Sequence, residues 1–484
     1  MVALPTAMLL VGAAALTPAY APSPPAVPLC GVGDSDDGSV ARGGSRPILS
    51  GPEQVVDSED GFFRVHWTHQ GEDRIGEDDE DGSGVPDDIE RVLAGLTEGR
   101  QLFEGFGYRP LVPDLGEGGS SAIDVYVRDI DAFGFAYPVD SDREAPVASC
   151  YMELDNALRA QGDGVLESVA VHELHHCVQY TYTPNAHSWI YEATATLEQY
   201  RDRRSGALDA ALEFLWAFRL RDHSRPVSAT GDRFEYAGFV FMKFWEEFEN
   251  EASPQVSAGR VPDLWEAVAL QPRWKEAFDS ESRRVFGRGW DRTFRDFATW
   301  NLFACSRSDG LHYDGATFPC TLPATSVPVE SIPAQGAFTV LQPEVTHTAT
   351  FHEMDAGGDD RPAEVRCEGP GEGAEVRLRL LALDASGRRG EASDATLEGD
   401  ASGSVALLEP VDPGGRIALV VASTGEGPVE LRCEAGRNDP AVTEGEGCEC
   451  NNGGSPRGGP AVAWMCVVGV LTARRRASPA SCAR

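Results

Sequence analysis

Residues 165–176 read Val165-Leu166-Glu167-Ser168-Val169-Ala170-Val171-His172-Glu173-Leu174-His175-His176, and the interpretation of the whole chain turns on them. The apolar pattern from Leu166 to Tyr180 contains no Gly or Pro and predicts a helix. On a helix, positions i and i+4 lie about 40° apart and one turn along, so His172 and His176 can grip a single ion. Glu173 stands one step on, close enough to act on a water at that ion without being a ligand itself. The pattern is H-E-x-x-H. With 10 His in 484 residues, an accidental match is expected on the order of 0.01 times per chain. His175 shares a face with His172 at i+3, but only His176 fits the template with Glu173, so His175 is read as outer support or surface.

A hydrolytic zinc site needs a third protein ligand and an open position for water. The continuation H-E-x-x-H-x-x-G-x-x-H is excluded, because Gln179 and Tyr182 stand where it requires glycine and histidine. Downstream, Trp189-Ile190-Tyr191-Glu192-Ala193-Thr194-Ala195-Thr196 reads as the start of a second helix, with a carboxylate 16 residues beyond His176. Glu192, among apolar and small neighbours, is the expected third ligand; Glu198 and His187 are the fallbacks. For the donor that would steady an oxyanion, Tyr236 in Phe234-Glu235-Tyr236-Ala237 is the first choice, ahead of His187 and Tyr191.

Upstream, Asp79-Glu80-Asp81-Gly82-Ser83-Gly84-Val85-Pro86-Asp87-Asp88-Ile89-Glu90 follows the twelve-residue calcium-loop template. Asp79, Asp81, Ser83 and Asp87 take positions 1, 3, 5 and 9, Val85 offers its carbonyl, and Glu90 closes the loop. The approach through Ile75-Gly76 is not a helix pattern and Pro86 replaces the usual apolar residue. The expectation is therefore a solitary structural Ca2+ loop.

Around these motifs, Phe62–Thr68, Ala122–Val127 and Cys150–Leu154 predict strands, and helices dominate from 166 to about 304. From 326 to 437, β-branched runs such as Glu375–Leu380 and Arg416–Val421 alternate with Gly, Asp and Pro, the pattern of an all-β sandwich.

H-E-x-x-H followed by the helical Trp189-x-x-Glu192-x-x-Ala195 resembles the gluzincin class of zinc metallopeptidases. More narrowly, the acidic Gly84-Val85-Pro86-Asp87 loop, strand, zinc helix and β-rich end resemble secreted metalloproteases of myxobacteria, over roughly Phe62 to Phe303. The resemblance implies an α+β zincin-like domain, with a mixed sheet and a mainly helical second half, followed by the sandwich. It implies a zinc ion on His172, His176 and Glu192, with Glu173 as the base that activates water against a peptide bond. The spacing to Glu192 is shorter than in thermolysin-like members. The alternatives are a zinc hydrolase of another amide, or an inactive surface-displayed binding protein; the intact Glu173 argues against the latter.

The ends read as addresses. An apolar run from Ala7 to Leu16 and Ala19-Tyr20-Ala21 predict a cleaved signal at 1–21, although no Lys or Arg precedes the run. Residues 22–55 read as linker or pro-segment, 56–325 as the metalloprotease domain, 326–437 as the sandwich and 438–484 as linker plus anchor. Cys448-Glu449-Cys450, the apolar run 461–473 and Arg474-Arg475-Arg476 resemble the myxobacterial C-terminal sorting signal. The implied partners are the sorting machinery and a protein or peptide substrate, at the cell surface or secreted. The 41 Lys and Arg against 77 Asp and Glu give a net charge of −36, which disfavours nucleic acid. Export makes disulfides of the body cysteines: Cys305–Cys320 and Cys367–Cys433 are expected, Cys150–Cys177 is possible, and Cys30 is left over.

Overall fold

A six-stranded sheet backed by helices builds the first half of the fold. The computed structural model describes residues 31–32 and 45–437, apart from 115, 140–145, 163, 203–205, 251–252, 255–256, 258, 272, 314–325, 343–345, 359, 372, 400 and 426–428. The expected signal at 1–21 and the C-terminal signal at 438–484 lie outside the described residues.

In chain order the first elements are β1 (Gly31–Val32), β2 (Glu53–Asp57), β3 (Phe63–Thr68), α1 (Asp87–Phe106), β4 (Ile123–Arg128), β5 (Gly134–Val139), β6 (Ser149–Asp155), α2 (Val165–Tyr180) and α3 (Ser188–Asp202). The sheet order is β1-β5-β6-β4-β3-β2. Strands β3, β4 and β6 run parallel, whereas β5 is antiparallel to β6 and β2 to β3. Three of these strands match the sequence expectation. β5 was not expected, because Gly134 and Pro138 punctuate an otherwise strand-like run.

The helix α1 starts after Pro86 with Asp87, Asp88 and Glu90 in its first turn, where carboxylates meet the positive end of the helix dipole. It stops at Gly107, whose φ of 91° suits a left-handed cap. Gly95 and Gly99 let it press on α2: a methyl group at Gly95 would sit 3.0 Å from the Glu167 carbonyl oxygen. Every residue of α2 except Glu167 is buried, between α1, α3 and strands β5 and β6. A helix buried all round marks the centre of a fold.

The chain continues through α4 (Gly206–Arg221), α5 (Phe234–Ala237), α6 (Phe239–Glu247), a small hairpin of β7 (Phe248–Asn250) and β8 (Ser253–Pro254), then α7 (Arg260–Leu270), α8 (Trp274–Phe286) and α9 (Trp290–Leu302). Among the described residues, no helix is long and apolar enough to cross a membrane.

The last third comprises β9 (Glu330–Ser331), β10 (Gly336–Gln342), β11 (Thr348–Asp355), β12 (Ala363–Cys367), β13 (Glu375–Leu383), β14 (Arg389–Glu398), β15 (Gly403–Ala406), β16 (Arg416–Ser423) and β17 (Val429–Arg437). These form two sheets, β10-β17-β12-β15 and β14-β13-β16-β11-β9. Val365, Leu378, Leu380, Leu419, Val421 and Leu431 fill the space between them. Alternate residues on the same strands, including Phe351, Leu381, Ala418 and Val420, face the other way and join the core of the helical half. Each Val, Leu or Phe among them contributes about 1.5–3 kcal/mol when fully buried.

The sandwich and the helical half therefore share one core, and α9 packs on β13 and β16. At this seam Arg379 pairs with Asp296 (3.1 Å) and Asp394 (2.7 Å), and the Trp290 indole donates to His347 Nε2 at 2.6 Å. The overall class is mixed α+β with β-sandwich-like sheets.

Two disulfides are present among the described residues, one expected and one that the sequence left as possible. Cys367–Cys433 joins directly opposed residues of β12 and β17, and Cys150–Cys177 ties β6 to α2 with a Cα separation of 5.5 Å. Cys305 is also disulfide-bonded; its expected partner, Cys320, lies outside the described residues.

Candidate metal centre

Helix α2 carries His172, Glu173 and His176 on buried positions, and α3 brings Glu192 across from them. The turn between the helices is clamped by Tyr191, whose hydroxyl donates to the Thr183 carbonyl at 2.5 Å and accepts from the Ala186 amide. That clamp folds α3 back along α2.

Ligand atoms of His172, His176 and Glu192 all lie within 4.8 Å of one another, and among the described residues this is the sole such group of three His, Cys, Asp or Glu. Glu192 Oε2 stands 3.2 Å from His172 Nε2 and 3.6 Å from His176 Nε2. Tetrahedral ligands about 2.1 Å from zinc are about 3.4 Å apart, so these separations fit one ion. His176 Nε2 is fully buried and has no hydrogen-bond partner. Buried polar atoms normally find one, and an ion at this point would satisfy it. The donor set, two imidazoles and a carboxylate, suits zinc.

The other ring nitrogens are held from behind. His176 Nδ1 donates to Gln179 Oε1 at 2.8 Å, and His172 Nδ1 lies 3.3 Å from Gln199 Oε1. The Gln179 amide is oriented in turn by the Tyr191 carbonyl at 2.9 Å and the Thr194 hydroxyl at 2.8 Å. Such outer partners fix the tautomer, turning both Nε2 atoms to the centre. Glutamine has no ligand signature, so neither Gln179 nor Gln199 was singled out from the sequence. Their spacing, three residues after His176 and seven after Glu192, is the signal that was present.

Charges in the cluster favour a ligand-ready carboxylate. Burial would raise the Glu192 pKa, but the His176 imidazole beside it outweighs this and holds it down at about 2. Burial opposes a proton on His176, yet Glu192 lifts that group to about 9; burial lowers His172.

Glu173 is fully buried, and β5 runs directly over it. A methyl group on Gly134 would sit 2.7 Å from Glu173 Cγ and 2.9 Å from its Oε1, so only glycine fits there. The Tyr180 hydroxyl, at the end of α2, donates to the Ala136 carbonyl at 3.0 Å and fixes that approach. Gly134 is a third residue of the site, after Gln179 and Gln199, that the sequence did not single out.

Tyr236 stacks near His172, with ring centroids 6.1 Å apart, and so lies beside the centre. The fallbacks lie elsewhere. Glu198 accepts from the Tyr108 hydroxyl at 2.6 Å and from Arg201 at 2.5 Å. His187 accepts from the Trp189 amide at the start of α3, and the Tyr191 hydroxyl is spent on the turn. His175 packs edge-on against Phe103 and Tyr108, and its Nδ1 lies 2.7 Å from Gln179 Nε2, so it stands behind His176 as outer support.

The acidic loop is only partly gathered. Ser83 Oγ donates to Glu90 Oε1 at 2.7 Å and lies 3.2 Å from the Val85 carbonyl, while Asp79 and Asp81 both accept from the Ser83 amide. Asp87 accepts from the Glu80 amide at 3.0 Å.

No family model matches the chain, and no curated protein matches it. Among solved structures, the chain is similar to the pre-peptidase C-terminal domain of a collagenase from Bacillus anthracis, with 9% identity over 22% of this chain and 95% of that one, and a TM-score of 0.16. It is also similar to a structure described as carbohydrate-binding modules from the β-sandwich superfamily, with 12% identity over 21% of this chain and 52% of that one, and a TM-score of 0.15.

Proposed function

We propose that the protein is an exported zinc-dependent endopeptidase with a zincin-like catalytic half of gluzincin type. One observation carries this reading: three ligand atoms, mutually spaced for one ion, stand beside a buried carboxylate that is no part of the triad. Zinc supplies Lewis acidity there, acidifying a water and polarising a carbonyl oxygen.

The chain's own groups do the remainder. Glu173 takes the proton of the attacking water and returns it to the leaving amine. Burial and the contact with Gly134 keep its carboxylate in one orientation. Tyr236 offers its phenol to the oxygen that gains charge. Gln179 and Gln199 hold the imidazoles in register. Disulfides at Cys150–Cys177 and Cys367–Cys433 support export, since such bonds persist in oxidising compartments. The loop at 79–90 is the proposed Ca2+ site, with a structural role at the start of α1, and the C-terminal segment a sorting signal.

The test is Glu173→Gln. Metal content is expected to stay at one zinc per chain while casein hydrolysis falls about 10³-fold. A chelator removes the wild-type activity. Hydrolysis that survives either treatment overturns the assignment.

A further inference from the structure

A cleft of about 440 Å³ opens where the end of α8 and the first turns of α9 meet strands β13 and β14. Its wall carries Arg288, Arg292, Arg295 and Arg377, with Thr396 and one carboxylate, Asp394. The chain as a whole has a net charge of −36, so four guanidiniums around one hollow run against its composition. None of them belongs to the metal centre.

Sequence spacing and strand register gather this group. Arg292 and Arg295 are three residues apart on α9 and share a face, and Arg288 stands just ahead of the helix. From the sheet, Arg377 of β13 is opposed by Thr396 of β14, and Arg379 by Asp394. Arg377 donates to the Thr396 hydroxyl at 2.7 Å and pairs with Glu375. Arg295, only 6% exposed, pairs with Asp296 at 2.9 Å and Asp394 at 2.8 Å. Asp296 also takes Arg288 and Arg379.

These carboxylates hold the cations in place without matching them. Even with Asp291, 3.9 Å from Arg377, five guanidiniums meet four carboxylates. Arg292 is exposed and forms no ion pair among the described residues. Donor capacity is also unspent, because Nε of Arg295 and Nε of Arg377 are buried without a hydrogen-bond partner. A cleft lined by one sign of charge focuses its field and concentrates the opposite ion.

We propose that this cleft binds a tetrahedral oxyanion, the sulfate or phosphate group of an esterified ligand. A planar carboxylate is satisfied by a single guanidinium fork. Here the guanidiniums arrive from a helix on one side and a strand on the other, and a tetrahedral group has oxygens for both. The volume falls among those of small-molecule sites, about 300–1,000 Å³, and so leaves room for the alcohol part of the ester. The proposal does not depend on the peptidase reading.

The experiment titrates the zinc-loaded full chain, freed of excess zinc, by isothermal calorimetry at constant ionic strength in sodium chloride. The probes are sodium sulfate, sodium phosphate and sodium acetate, then a sulfated disaccharide and glycerol phosphate. Sulfate and phosphate are expected to bind at one site per chain, and acetate at none. Arg292→Ala should weaken the Kd about tenfold, as one charge-assisted contact is lost, with Arg292→Lys in between. Zinc content and the urea midpoint of Arg292→Ala stay at the wild-type values. Arg377→Gln, on the strand side, should weaken the same Kd. Binding that both Arg292→Ala and Arg377→Gln leave unchanged overturns the site, as does acetate binding as tightly as sulfate, or no saturable binding of any probe. The ester that binds more tightly than its inorganic ion identifies the ligand's source, and failure of both esters to bind overturns the ligand class.

Discussion

Helix α2 and the loop at 79–90 both carry metal-ligand patterns, yet they treat their polar side chains oppositely. In α2, five of the last nine residues are polar and buried: His172, Glu173, His175, His176 and Gln179. In the loop, Asp79, Asp81 and Asp87 accept from backbone amides and Ser83 donates to Glu90, all at exposed or half-buried positions. Burying a polar group costs free energy unless it finds partners, so these side chains are held to one arrangement by the groups around them, as Gln179 holds His175 and His176. An exposed carboxylate has water and needs no such reason. Burial, rather than the motif, is what distinguishes the candidate centre from the loop.

The most severe break of this contrast is His176→Ala. It is expected to abolish stoichiometric zinc, read by plasma mass spectrometry, and to cut hydrolysis by about 10³-fold or more. Next is Gly134→Val, which drives a side chain into Glu173. Activity is expected to fall about 10²–10⁴-fold with zinc retained, and overpacking to lower stability by about 1–3 kcal/mol. Equal activity in that variant would show that β5 does not position the carboxylate. Gln179→Ala tests the outer layer: zinc affinity should weaken about 10–100-fold in a chelator competition, without unfolding.

His347 provides a buried polar residue outside the centre. Burial, aided by the Lys275 charge, lowers its pKa from 6.5 to about 3. The folded state therefore keeps it neutral while the unfolded chain takes up a proton below pH 6.5. Stability is intact above that pH and is lost as the pH falls toward 3, with a slope of up to about 1.4 kcal/mol per pH unit. His347→Gln should flatten the urea-midpoint profile across that window. The smallest effect belongs to the loop. Calcium should raise the melting temperature, Asp79→Asn should remove that rise, and hydrolysis and zinc content should not change.

Sequence alone made the pair of imidazoles legible, because helical periodicity fixes which side chains share a face, and pointed to Glu192 through its spacing and apolar neighbours. It also made the sandwich strands legible through their alternation. The unforeseen parts depend on approach rather than pattern. Gly134 matters because β5 passes over Glu173, and a glycine in a run ending Pro138-Val139 reads as a break. Gln179 and Gln199 act through imidazoles that only the fold brings near. The seating of the sandwich on α9 had a trace in the unbroken apolar run Ile417–Ala422, since a strand without polar alternation is covered on both faces.

The most direct measurement is anomalous diffraction at the zinc edge from crystals of the protein. The account predicts one peak about 2.0–2.2 Å from Nε2 of His172, Nε2 of His176 and a Glu192 oxygen. A peak held by other residues, or none at the triad in zinc-saturated crystals, would contradict it.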